Sequence, residues 1–78
     1  MEAKGEIKMY IAYGMGARLK EMRDKKNLTE EQLAEIVDKS VQTISNLEND
    51  RKGTSIETFV KLCNALETSA DYLLFGKK

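Results

Sequence analysis

The chain has 78 residues with 13 basic and 13 acidic side chains, a formal net charge of zero, no proline, tryptophan or histidine, and one cysteine. That length allows a single domain whose core only just suffices, and a composition one-third charged and sparse in glycine fits an all-α fold. The same inventory excludes an internal disulfide, the usual zinc ligand sets, a nucleophile–base pair and a glycine-rich phosphate cradle, so no enzyme reading survives and no cofactor is expected.

The first stretch, EIKMYIAY at 6–13, reads two ways. Alternation places Ile7, Met9, Ile11 and Tyr13 on one face of a strand, whereas helical spacing groups Ile7, Tyr10, Ile11 and Met15. Residues 1–12 are therefore read as an N-terminal arm or short extra element ahead of a domain at 13–76, with Gly14 and Gly16 weakening any continuous helix between them. Met15, Leu19 and Met22 then recur at helical spacing and predict a first helix over about 13–26, ending near Asn27, a residue that tolerates the left-handed conformation. Thr29-Glu-Glu-Gln32 is a capping box that starts a second helix at Glu30, carrying Leu33, Ala34, Ile36 and Val37. Asp38-Lys39 breaks that helix, and Ser40 offers the N-cap for a third over Val41–Asn49.

The polar loop DRKGTS follows, and Thr54-Ser-Ile-Glu57 reads as a second capping box. The fourth helix shows an apolar stripe of Ile56, Phe59, Val60, Cys63 and Leu66, which places Cys63 in the core as an inert thiol. Thr68 or Ser69 caps a last short helix through Tyr72, Leu73 and Leu74. Between the second and third helices the small Ala34 allows close approach, Asp38 sits where the turn wants a left-handed residue, and Ile44 and Leu47 can close a core with Leu33 and Val37. Such a pair of short helices offers one exposed helix to a DNA major groove.

Over residues 15–76 the sequence resembles the phage Cro and lambda-repressor-like (XRE) helix-turn-helix family. The resemblance is carried by RLKEMRDKKNLTEEQLAEIVDKSVQTISNLEND and SIETFVKLCNALETSADYLLFG, with several family motifs in order. It implies a compact five-helix domain whose second and third helices form the helix-turn-helix, binding double-stranded operator DNA as a homodimer and regulating transcription, as a repressor, by occupying the site. The third helix would be the recognition helix. Gln42 is then the first choice for reading a base, since a carboxamide can pair in bidentate fashion with adenine N6 and N7. Val41 would meet a thymine methyl, and Ser45 and Asn46 would add base-edge hydrogen bonds. Ser40 and Thr43 are better placed for phosphate, and Arg51 and Lys52 would clamp the backbone. The resemblance also pairs Glu48 with Arg23 in a partly buried structural ion pair.

Two departures weaken the match. The family often has a phosphate-bonding glutamine where this chain has Glu30, which makes Glu30 a doubtful backbone contact because a carboxylate repels phosphate. The loop after the third helix is less basic than in many relatives, with Asp50 where glycine is frequent. Charge is also uneven along the chain: residues 1–29 carry seven basic and four acidic side chains, residues 30–50 one and six, and residues 51–78 five and three. An acidic middle counts against a strong generic DNA binder and leaves room for a weak, site-selective one. Arg18, Lys25 and Lys26 read as solvated surface with some long-range attraction.

The rival to DNA binding is a helix-turn-helix module whose acidic centre and N-terminal arm bind another regulator, since fold alone does not decide between the two. Neutral amides and hydroxyls on a helix face are often merely solvated. Here, in a chain one-third charged, the outward positions Gln42, Ser45, Asn46 and Asn49 are all neutral hydrogen-bonders, which suits base edges. The N-terminal MEAKGEIKMYIAYG lacks the continuous apolar core of a signal peptide, and no apolar run is long enough to span a bilayer. The expectations are a cytoplasmic protein with no membrane partner, no metal and no small-molecule substrate.

Overall fold

The computed structural model describes residues 8, 9 and 14–77. Five helices follow one another, α1 over Met15–Lys25, α2 over Glu30–Ile36, α3 over Val41–Glu48, α4 over Ile56–Leu66 and α5 over Ala70–Phe75. The expected all-α, five-helix architecture is therefore present. A small addition is a two-stranded antiparallel pair, β1 over Lys8–Met9 with β2 over Thr54–Ser55, in the register Lys8 to Ser55 and Met9 to Thr54. Apart from Lys8 and Met9, the arm expected at 1–12 lies outside the described residues, as do Ile7, Ile11 and Tyr13 of the alternation reading.

Local chemistry accounts for most helix ends. The α2 capping box is complete: the Thr29 hydroxyl accepts from the Gln32 backbone N–H at 3.0 Å, and the Gln32 carboxamide accepts from the Thr29 N–H at 2.8 Å. Ser40, Ser55 and Ser69 cap α3, α4 and α5 by accepting from the backbone N–H of Thr43, Thr58 and Tyr72. Asn27 and Asp38 adopt φ of 58° and 60°, the left-handed conformation that stops α1 and turns the chain between α2 and α3. After α2 the Lys39 N–H returns to the Ala34 carbonyl at 2.9 Å and closes that turn.

Helix α4 departs from the sequence reading in its start and its rotation. Thr54 does not cap it and no Thr54–Glu57 box forms, because Thr54 is held in the extended β2 pairing with its side chain buried, and the cap passes to Ser55. The buried stripe is Thr58, Phe59, Leu62 and Leu66, whereas Ile56 and Val60 are 48% and 49% exposed. Cys63 is only half-buried at the edge of the core, and the burial it has pushes its thiol pKa up. Ile36, expected on the inward side of α2, is also exposed.

The core gathers Met15 and Leu19 of α1, Leu33, Ala34 and Val37 of the α2 region, Ile44 and Leu47 of α3, Phe59, Leu62 and Leu66 of α4, and Leu73 of α5. Each fully buried leucine contributes about 1.5–3 kcal/mol relative to an exposed one, and this shared cluster fixes α3 against both α1 and α2.

Candidate nucleic-acid interface

Ile44 and Leu47 anchor α3 in the core, and this rotation decides what its other side presents. Val41 and Gln42 are exposed, as is Ser40 ahead of them, and Thr43, Ser45 and Asn46 are half-exposed. Arg51 and Lys52, just beyond the helix, are exposed. The candidate base and backbone contacts thus form one continuous polar surface along α3 and its C-terminal loop.

Several of these side chains are already engaged. Gln42 Nε2 donates to Asn46 Oδ1 at 3.1 Å, and Arg51 Nη1 donates to the same oxygen at 3.4 Å. At the start of the helix the Ser40 hydroxyl lies 3.0 Å from that of Thr43 while accepting the Thr43 N–H. Asn49 turns back along the helix and donates to the Ser45 carbonyl at 2.8 Å.

Two acids of the middle segment, Glu48 and Asp50, are taken up by internal contacts. Glu48 is 8% exposed and faces Arg23, which is 9% exposed. Arg23 Nε donates to Glu48 Oε2 at 2.6 Å and Nη2 to Oε1 at 3.1 Å, while Nη1 donates to the Leu28 carbonyl at 2.7 Å. A bidentate fork of this kind neutralises the carboxylate and locks α1 to α3. Asp50, at φ 55°, turns its Oδ1 to the Gly16 N–H at 2.9 Å, so it caps the first turn of α1 from a distant loop. Gly14, the residue at the cap position itself, provides no side-chain bond.

Gly16 has its own reason to be glycine. A Cβ there would lie 2.5 Å from the Glu48 carbonyl oxygen and 2.6 Å from both the Leu47 carbonyl oxygen and Asp50 Oδ1. The missing side chain lets α1 start directly against the end of α3. Neither the Asp50 cap nor this close approach was legible from residue type, although the glycines on either side of Met15 at the start of α1 were a visible signal.

Glu30, the doubtful backbone contact, sits beside Glu48. Hydrogen bonding with the Glu48 carboxyl, then burial and charge repulsion from Glu48, raise the Glu30 pKa above its ordinary value. Of the basic residues read as solvated surface, Arg18 instead donates from Nε to the Leu73 carbonyl at 2.9 Å and from Nη2 to the Leu74 carbonyl at 2.8 Å, binding the end of α5 to α1. Lys25 pairs with Glu21 at 3.7 Å and Lys26 with Glu67 at 2.5 Å. Among the described residues no three His, Cys, Asp or Glu side chains are grouped so as to hold a metal ion, and no helix is long and apolar enough to cross a membrane.

With this geometry in place, likeness to known proteins is specific. A helix-turn-helix family model matches residues 19–73, most of the chain. The chain is 38% identical over 60 residues to the HTH-type transcriptional regulator ImmR of Bacillus subtilis (strain 168), a match covering 77% of this chain and 47% of that protein. It therefore spans about half the length of this curated relative. Among solved structures, the P22 c2 repressor in complex with a synthetic operator superposes with a TM-score of 0.78 at 33% identity, covering 81% of this chain and 96% of that one. The clp gene regulator ClgR from Corynebacterium glutamicum gives 0.73 at 36% identity, covering 78% and 65%. This chain belongs to the helix-turn-helix family of the phage Cro and lambda-repressor type.

Proposed function

We propose that the chain is a sequence-specific DNA-binding transcriptional regulator, a repressor that occupies its operator as a homodimer with α3 in the major groove. The observation that carries this reading is the division of α3. Its acid, Glu48, is turned inward and neutralised by Arg23, while its outward side offers Val41, Gln42 and Ser45 to base edges. Ser40 and Thr43 at the helix start, with Arg51 and Lys52 beyond its end, would contact backbone phosphates, a role that their exposed or half-exposed positions support. Family membership and the likeness to a repressor crystallised on its operator support the same reading. The site of action is the cytoplasm.

Affinity is expected to be modest and to depend on dimerisation, because Glu30 adds negative charge near α2 and the loop after α3 carries few basic groups. A dimer requires two half-sites about one helical turn, roughly 34 Å, apart. The test is repeated selection from a random duplex library at low salt, followed by titration of the enriched site against salt. A palindrome that binds with a steep salt dependence supports the reading; absence of any enriched site overturns it.

A second reading, a protein-interaction module of the same fold, is favoured by one observation. Ile56 and Val60 lie one turn apart on α4 with about half of each exposed. Salt-insensitive binding of a protein, lost in Ile56→Lys, would support that alternative.

A further inference from the structure

Gln42 has two amide hydrogens and one carbonyl oxygen, and the structure shows one of those hydrogens already committed. Gln42 Nε2 donates to Asn46 Oδ1 at 3.1 Å, and Asn46 Oδ1 also takes the Arg51 Nη1 donor at 3.4 Å. An amide oxygen has two lone pairs, so this acceptor is filled from both sides and the Asn46 carboxamide is held between α3 and the loop beyond it.

What Gln42 has left is one free N–H and one free acceptor, Oε1. That pair matches adenine, which presents the N7 acceptor beside the N6 donor in the major groove. Guanine presents two acceptors, N7 and O6. A Gln42 with both amide hydrogens free could turn both toward them, and one with a hydrogen already given to Asn46 cannot. We infer that Asn46 is a positioning residue, which holds the Gln42 carboxamide in the orientation that selects adenine over guanine, and that it does not itself read a base. This assignment rests on the DNA-binding reading above and deepens it by naming the residue that enforces the choice of adenine by Gln42. It also departs from the expectation that Asn46 contacts a base edge.

The experiment is the library selection repeated in parallel with the wild-type chain, Gln42→Ala, Asn46→Ala and Asn46→Asp, with thermal unfolding of each as a control for folding. Gln42→Ala locates the position that Gln42 reads. At that same position Asn46→Ala is expected to lower the preference for adenine over guanine by about tenfold, the scale of one bidentate contact, without altering preferences elsewhere or the salt dependence. Asn46→Asp keeps the acceptor oxygen and is expected to retain the adenine preference, although its charge weakens overall affinity.

Two results overturn the assignment alone: an enriched site whose adenine preference survives Asn46→Ala, or one in which Asn46→Ala relaxes a position different from that of Gln42→Ala. The second would make Asn46 a base reader. Failure of the wild-type chain to enrich any site overturns the DNA-binding reading and this assignment with it, so the two failures are told apart by the wild-type arm.

Discussion

The two sides of α3 use polar chemistry in opposite ways. On the side facing α1, the ion pair of Arg23 and Glu48 is almost fully buried, and the Asp50 carboxylate just past the helix is bound to the Gly16 N–H. On the outward side the groups are neutral amides, hydroxyls and a methyl-bearing valine, exposed or half-exposed. The inner side shows two carboxylates whose charge is taken up within the fold, one by a cation and one by a helix N-terminus. The outer side shows the groups left exposed on α3 once its acid is turned inward.

Breaking the inner side should give the largest effect. Glu48→Ala removes the bidentate partner of a buried Arg23 and leaves it only the exposed Asp24 carboxylate at 3.5 Å and the Leu28 carbonyl, at an expected cost of about 3 kcal/mol, read from the denaturant midpoint. Replacing both partners, as Arg23→Met with Glu48→Met, should cost markedly less, because no orphan charge is left. If the double replacement is as damaging as the single one, the pair is not the source of the effect.

Gly16→Ala is next. The added methyl meets two backbone carbonyl oxygens and Asp50 Oδ1 at distances that require a shift of helix ends, and overpacking of this kind costs about 1–3 kcal/mol. The melting temperature should fall accordingly. Asp50→Ala, which removes the cap alone, should cost about 1 kcal/mol, and Asp50→Asn less, since it keeps an acceptor.

On the outer side the expected losses are in affinity and leave folding intact. Arg51→Ala and Lys52→Ala should each weaken binding uniformly across sequences and reduce the salt slope by about 1. A change of base preference in Lys52→Ala would contradict its place as a backbone clamp.

The smallest effect concerns Glu30, which adjoins the inner side while standing at the start of α2. Its pKa is raised by the Glu48 carboxyl, so the folded chain holds this proton to higher pH than the unfolded chain does. The resulting contribution favours the folded state in acid and is lost as pH rises through the folded value. Glu30→Gln should therefore raise stability at neutral pH by roughly 0.2–1 kcal/mol, with little change in acid, and should also tighten DNA binding by removing a negative charge. Equal stabilisation at all pH values would show that Glu30 does not titrate with the fold.

Local signals were legible where the interacting groups are neighbours in the chain. The Thr29 box, the Ser40 cap and the left-handed Asn27 and Asp38 all involve atoms within a few residues, so residue type at fixed spacing was enough. Helix α4 was misread because the same spacing rule admits two neighbouring stripes. The β1 pairing, which holds Thr54 extended and moves the cap to Ser55, is a contact across 45 residues that periodicity does not record. On α4, Ile56 and Val60 stay on the surface and Leu62 enters the core.

The sequence by itself determined the number of helices, most of their starts, the helix-turn-helix and, through its resemblance to a family, the residues proposed for a recognition face. Tertiary structure alone decided that Arg18 closes the end of α5, that Asp50 caps α1, and that Arg51, from the loop beyond α3, joins Gln42 at the Asn46 oxygen. The physical reason is range. Capping and periodicity act between residues that the backbone already keeps close, whereas the partner of a long polar side chain is set only when packing brings separate elements, or a helix and the loop that leaves it, within hydrogen-bond distance.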